Sequence, residues 1–239
     1  MRGLLVCGAT GTIGTAVVRA AAMSGWIVGA LGRTPKALEK LDHAQHKWQF
    51  DAYNVDSLSE VFDHVRADGF IPHAAVNAFG VTERAPFLLQ TNDQWDRVLT
   101  INLKAVWRCV QLQAVLMQGN GGGSIVNLGS VASLRGNGWN EAPYVASKHG
   151  LLGLTKAAAL ELAASNIRVN MVCPSMLEGG LTKGLSFGGK SLAEVTRKHP
   201  LGRLVRASDV ANAALWLCGP GSEGVTGIAL PVDAGLTAK

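Results

Sequence analysis

The stretch Gly3-Leu4-Leu5-Val6-Cys7-Gly8-Ala9-Thr10-Gly11-Thr12-Ile13-Gly14 decides the fold. The uncharged run from Gly3 to Cys7 has the length and continuity of a strand buried on both faces, as in a parallel sheet. Gly8, Gly11 and Gly14 then make a turn, and Ala16 to Met23 reads as a helix stopped by Ser24-Gly25. A glycine turn between strand and helix lets the backbone approach a pyrophosphate, which the helix N-terminus attracts. Thr12 and Ile13 complete that turn, and the segment predicts a nucleotide site at the head of the chain.

Working outward, a second strand from Trp26 to Leu31 ends at Gly32-Arg33-Thr34-Pro35-Lys36. Thr34 suits an N-cap and Pro35 the first helical position. In dinucleotide folds this strand end faces the adenosine ribose, where a carboxylate accepts the 2′-hydroxyl of NAD and arginine accommodates the 2′-phosphate of NADP. Arg33, Thr34 and Lys36 stand here without a carboxylate, so NADP(H) is favoured and NAD(H) is the alternative.

The remaining units follow the same rhythm. Strands are expected at His46 to Phe50, Phe70 to Val76, Ser124 to Leu128, Ile167 to Cys173 and Ile228 to Val232. Helices are expected at Leu58 to Val65, from the caps Thr91-Asn92-Asp93 through Asn102 to about Met117, and from Tyr144 to about Ala164. Two more follow, a short one at Ser191 to Lys198 and a firmer one at Ala207 to Leu217 with Ser208 as its cap. Asp51-Ala52, Asn77-Ala78-Phe79-Gly80, Gly129-Ser130 and Pro174-Ser175 all fall at strand ends. The glycine-rich segment 177–199 suits a lid. This alternation predicts an α/β fold, a doubly wound parallel sheet of about seven strands with helices on both faces, in a single domain. Residues 1–120 would serve mainly the cofactor, and 121–239 catalysis and substrate.

Composition agrees. Hydrophobic residues make up 48% and charged residues 16% of the 239, which excludes a disordered chain. No apolar run reaches the ~18 residues of a membrane helix, and no cleavable leader is seen, so a cytoplasmic protein without membrane partners is expected. Cys7, Cys109, Cys173 and Cys218 lack metal-ligand or redox spacing and read as buried free thiols; no metal site is expected. The net charge of +5 is spread along the chain, which argues for anionic small ligands rather than nucleic acid.

One pair points to chemistry. Tyr144 and Lys148 lie four apart, one turn from each other on one helix face. An ammonium beside a phenol favours the ionised form and is expected to bring its pKa down towards neutrality, making Tyr144 an acid/base candidate. Asn102, in a helix interior where asparagine is mildly unfavourable, is flagged for a role.

Taken in order, the glycine turn, Asn-x-x-Gly after the fourth strand, Asn102, Ser130 and Tyr-x-x-x-Lys resemble the short-chain dehydrogenase/reductase family, in its short single-domain branch. The resemblance runs from Gly8 to Asp233. It implies a Rossmann-like domain and NAD(P)-dependent interconversion of an alcohol and a carbonyl. Tyr144 matches the acid/base, Lys148 the residue that lowers its pKa and bonds the nicotinamide ribose, and Ser130 the hydroxyl that holds the substrate oxygen. Asn102 matches the residue that holds a relay water. It further implies that Asp51 and Ala52 lie by the adenine, and Asn77, Ala78 and Gly80 by the adenosine ribose. Pro174 to Leu177 would pass the nicotinamide, and the chain would form a homotetramer or homodimer.

Several positions depart from the branch. Gly11 comes one place early, Thr12 fills the middle glycine's site, and Ala78 and Phe79 replace an asparagine and an alanine. Ser175 replaces a glycine, and Gly179 stands where a threonine is common, with Thr182 nearby. The nearest substrate class by general look is a 3-oxoacyl thioester. Trp139 is a candidate wall for an apolar or aromatic substrate. Arg197, Lys198, Arg203 and Arg206 form the densest basic stretch, a candidate receiver for an anionic or thioester-linked substrate. The alternatives are an NAD-dependent dehydrogenase of a secondary alcohol or cyclic diol, and a non-catalytic NADP-sensing regulator, against which Tyr144 and Lys148 argue.

Overall fold

A computed structural model describes residues 2–178 and 191–238. Seven strands, Gly3–Cys7 (β1), Ile27–Gly32 (β2), His46–Gln49 (β3), Pro72–Asn77 (β4), Gly123–Leu128 (β5), Ile167–Pro174 (β6) and Ala229–Val232 (β7), form one sheet ordered β3-β2-β1-β4-β5-β6-β7. Every neighbouring pair is parallel. The order reverses between β1 and β4, and the crevice beyond their carboxyl ends is where such sheets bind ligands. Eight helices are described: Thr12–Met23 (α1), Pro35–Glu39 (α2), Leu58–Ala67 (α3), Asn92–Leu99 (α4), Ala105–Gln118 (α5), Ala142–Leu162 (α6), Leu192–Thr196 (α7) and Ala207–Cys218 (α8).

The strands are buried on both sides because helices cover both. In β1, Leu4 and Val6 join the core that includes α1 and α8, while Leu5 and Cys7 join the core that includes α3, α5 and α6. Val17 and Val18 of α1 pack into the first of these, each contributing about 1.5–3 kcal/mol by leaving water. All four cysteines are free and buried.

Two local expectations change, and a third falls largely outside the described residues. The long helix through Asn102 is not continuous: α4 starts at a capping box between Thr91 and Gln94, and Thr100–Lys104 then winds as a π turn before α5. Such wide turns mark functional positions more often than regular helix does. Ser208 does not cap α8; Arg206 holds the cap position, and its backbone N–H donates to Asp209 Oδ2 at 2.9 Å. The expected lid falls largely on 179–190, with Gly179 and Thr182, outside the described residues. Beyond it, Ser191 caps the short helix α7.

Candidate active site

The turn after β1 is pinned to β2 by two bonds: the N–H groups of Gly8 and Ala9 both donate to the Leu31 carbonyl, at 2.8 and 2.9 Å. Gly8 has φ +82°, a left-handed conformation that glycine adopts without strain. A Cβ on Gly14 would run into the Gly8 carbonyl oxygen, so α1 seats directly on the turn. Gly11 is different, because a Cβ there would meet nothing nearer than 3.5 Å. No side chain caps α1 and its first turn carries no acidic residue, so its N–H groups face out beside exposed Gly11 and Thr12. This uncapped helix start behind a glycine turn fits the pyrophosphate of a dinucleotide. Ile13 is half-buried against the core.

The other cofactor candidates line the same edge. Arg33 and Thr34 are exposed beyond β2; Thr34 holds the cap position of α2, but its hydroxyl makes no capping bond. Past β3, Asp51 is exposed with Oδ1 accepting from the Tyr53 N–H at 3.0 Å, and Ala52 is buried. Ala78 donates its N–H to the Cys7 carbonyl at 2.8 Å, and Phe79 meets Phe50 edge-on at 5.1 Å, filling the wall beside Gly8. Asn77 has its side chain committed within the protein. The amide is buried and engaged with Gln113 and Asn127, at 2.8–3.2 Å, so only its backbone is left for a ligand. Leu177, following Pro174 at the end of β6, bridges to Val205.

The four catalytic candidates converge at the carboxyl ends of β4 and β5. Helix α6 begins at Ala142, two residues before Tyr144, with Pro143 in its first turn, where a missing N–H costs nothing. Ser147, Leu151, Thr155 and Ala159 form its buried stripe at spacings of four, which turns Lys148 into the sheet edge. Lys148 Nζ donates to the Leu128 carbonyl at 2.7 Å and lies 5.7 Å from the Tyr144 ring centre. Ser130 leaves β5 in extended backbone, braced by Ser133, and its hydroxyl reaches the Tyr144 phenol. Gly80 sits beside both amide and amine: a Cβ there would be 3.1 Å from Asn102 Oδ1 and 3.6 Å from Lys148 Nζ.

Electrostatics overturn one expectation. Burial pushes the Tyr144 phenol up to about 12, with Ser130 opposing and Glu141 adding. Burial brings Lys148 down to about 8. Desolvation is the largest cause for both groups, and the net shift of the phenol is upward rather than the downward one expected. Asn102 is fully buried inside the π turn. Its Oδ1 accepts from the Val81 N–H at 2.8 Å, and its Nδ2 donates to the Val81 carbonyl at 2.8 Å and to Ser147 Oγ at 3.1 Å. The amide thus staples the loop after β4 to α6, and Ser147 passes the tie on to the Tyr144 carbonyl at 2.7 Å.

Two of the four basic candidates are paired. Arg203 is held by Asp209 at 2.5 Å, and Arg206 lies 3.7 Å from Glu178. Several site residues carry no signature in the sequence. Glu141, with its partners Arg84, Asn137 and Thr82, is one; His199, 3.0 Å from the buried hydroxyl of Ser175, is another. Only the position of Glu141, three before Tyr144, hinted at the first. Among the described residues no cluster suits a metal ion, and no helix is long and apolar enough to cross a membrane.

A family model described as Enoyl-(Acyl carrier protein) reductase, of the short-chain alcohol dehydrogenase type, matches residues 8–237. The chain belongs to the short-chain dehydrogenase/reductase family. Among its relatives, a 3-oxoacyl-(acyl-carrier-protein) reductase of Thermotoga maritima is 33% identical, the match covering 97% of this chain and 96% of that protein. A probable galactose dehydrogenase of Rhizobium meliloti is 32% identical over 98% and 94%. A putative short-chain alcohol dehydrogenase structure from Sinorhizobium meliloti superposes with a TM-score of 0.92 at 31% identity, covering 100% of this chain and 97% of that one. The Thermoplasma acidophilum aldohexose dehydrogenase gives 0.89 at 26%, covering 100% and 94%. As a short-chain dehydrogenase/reductase the chain is an enzyme, a nicotinamide-dependent oxidoreductase acting on small molecules.

Proposed function

We propose that the chain is an NADP(H)-preferring ketone reductase, with Tyr144 as proton donor to the carbonyl oxygen. The observation that carries this is the convergence of Ser130, Tyr144 and Lys148 at one strand end, with Lys148 Nζ fixed 2.7 Å from the Leu128 carbonyl beside the phenol. The nicotinamide cofactor, when bound, supplies the hydride. Its pyrophosphate falls to the turn Gly8, Gly11, Thr12, Ile13, Gly14, whose helix start is uncapped. Arg33 and Thr34, exposed at a strand end that lacks a carboxylate, suit the 2′-phosphate.

The chain's own groups do the proton work. Burial pushes the phenol up to about 12, so it is protonated across the physiological range and in the form that can donate a proton. Ser130, beside that phenol, could turn its one O–H to the same substrate oxygen as charge develops on it. Lys148, charged below about 8, stabilises the phenolate left after proton donation. Asn102 is a positioning residue that holds the Val81 loop and, through Ser147, the first turns of α6. The exposed edge of Trp139 and the loop through Arg84 border the substrate side.

A panel of ketones and secondary alcohols, read by reduced-nicotinamide fluorescence with each cofactor, tests this. Tyr144→Phe should abolish turnover, by at least about a thousandfold, while cofactor affinity stays within about threefold. Substantial residual reduction would defeat the role given to Tyr144.

A further inference from the structure

Arg84 lies in the loop after β4, and nothing in the family pattern assigns it. Its Nε donates to Glu141 Oε2 at 3.1 Å, and its guanidinium stands 6.0 Å from the centre of the Trp139 ring. Glu141 is 5% exposed and also accepts from Asn137 Nδ2 at 2.7 Å and Thr82 Oγ1 at 3.3 Å. Glu83, the neighbouring carboxylate, points to Arg97 at 3.5 Å instead. The two terminal amino groups of Arg84 make no hydrogen bond among the described residues, and its side chain keeps 28% exposure. Glu141 immediately precedes α6, three residues before Tyr144, and holds Arg84, so the pair stands at the helix start that carries the phenol.

We propose that Arg84 is a specificity-determining residue that receives a carboxylate of the substrate, making the substrates small oxo acids or their hydroxy-acid products. This rests on the ketone-reductase reading above.

The chemistry of the free edge selects the ligand. A guanidinium offers only donors, in a planar fork that matches a carboxylate through two parallel bonds. A hydroxyl-rich ligand needs acceptors as well, and the acceptors at hand, the Glu141 oxygens, are buried and already bonded to three groups. Because Glu141 balances the Arg84 charge, a singly charged carboxylate suits the pair better than a doubly charged phosphate. Trp139 and Glu141 hold the guanidinium from the face and from Nε, so little side-chain freedom remains to be lost on binding.

The test compares levulinate, and the next two longer oxo acids of the series, with their primary amides. In the wild-type enzyme kcat/KM should favour the acid about ten- to a hundredfold for the best chain length, the scale of a charge-assisted pair. Removing Arg84 alone would strand the buried Glu141 charge, so the variant is Arg84→Gln with Glu141→Gln. The acid-to-amide ratio should fall to about one in that protein, and Arg84→Lys, which keeps charge but not the fork, should fall between. Wild-type ratios near one at every length, or a ratio that survives the double substitution, would overturn the assignment. Calorimetry with pentanoate against pentanamide reads the same site without turnover. Pentanoate binding that is lost in the double variant supports Arg84 even if no ketone is reduced, an outcome that would sink the reductase reading alone. Equal binding of acid and amide sinks Arg84 and leaves that reading standing.

Discussion

Lys148→Met should stabilise the protein while removing its activity, and pH can show why. Burial brings the Lys148 ammonium from 10.5 to about 8. Between those values the unfolded chain holds a proton that the folded chain has released, so stability rises with pH through that window. Two and a half units at 1.36 kcal/mol each correspond to about 3 kcal/mol, present as a penalty below about pH 8 and relieved by pH 10.5. The bond to the Leu128 carbonyl offsets part of it, so about 1–3 kcal/mol is the expected gain for methionine at neutral pH. Urea unfolding followed by tryptophan fluorescence, run on both proteins across the window, measures this. The buried thiols work in the opposite sense. Cys173, at about 11, and Cys218, at about 12, stay protonated in the folded chain after they ionise in the unfolded one, which lowers stability above about 9. The Cys218 contribution is common to both proteins and cancels in their difference, whereas the Lys148 charge lowers Cys173, so losing it can only push that thiol further up in the variant and widen the difference. Wild type minus variant should therefore climb by about 2–3 kcal/mol across the window. Parallel curves for the two proteins would refute the reasoning, because they would mean that Lys148 titrates alike folded and unfolded.

Two further outcomes follow from the cofactor edge. Arg33→Asp should lower the NADPH-to-NADH ratio of kcat/KM by about ten- to a hundredfold, the scale of a lost charge-assisted bond made repulsive; an unchanged ratio would sink the NADP preference. Gly14→Ala should cost about 1–3 kcal/mol of unfolding free energy, since its Cβ runs into the Gly8 carbonyl, whereas Gly11→Ala should leave stability nearly unchanged and weaken dinucleotide binding. Equal destabilisation by the two changes, measured by urea unfolding and by cofactor titration, would show that the turn is not shaped as described.

What was legible in the sequence was whatever one local segment determines. β1 could be read because an apolar run with no charge fits only a strand covered on both faces, and Tyr144 with Lys148 because helical spacing alone puts them together. What was not legible depends on residues far apart in the chain. Arg84 meets Glu141 57 positions away, Asn77 meets Asn127 50 away, and Ser175 meets His199 24 away. Asn77 ends a strand, and which face an end residue takes depends on neighbours that the sequence does not order. At the π turn, the Asn102 amide bonds to Val81 and Ser147, which lie on two different elements.

The sign of the Tyr144 shift is the sharpest case of this limit. At the 5.7 Å that separates Lys148 Nζ from the Tyr144 ring centre, with an effective dielectric near 20, an ammonium would favour a unit negative charge placed there by about 3 kcal/mol, or roughly two pH units. That is of the same size as the rise from 10.0 to about 12 that burial leaves standing, so neighbour charge alone cannot fix the outcome. The lysine is itself driven towards its neutral form by the same apolar surroundings, which weakens the influence expected of it. Burial acts on both members and sends each towards neutrality, and a neutral phenol is the form that can give a proton. Under the proposed reductase reading the pair suits protonation of a carbonyl oxygen, and the sequence that places it four residues apart does not contain the burial that shifts it.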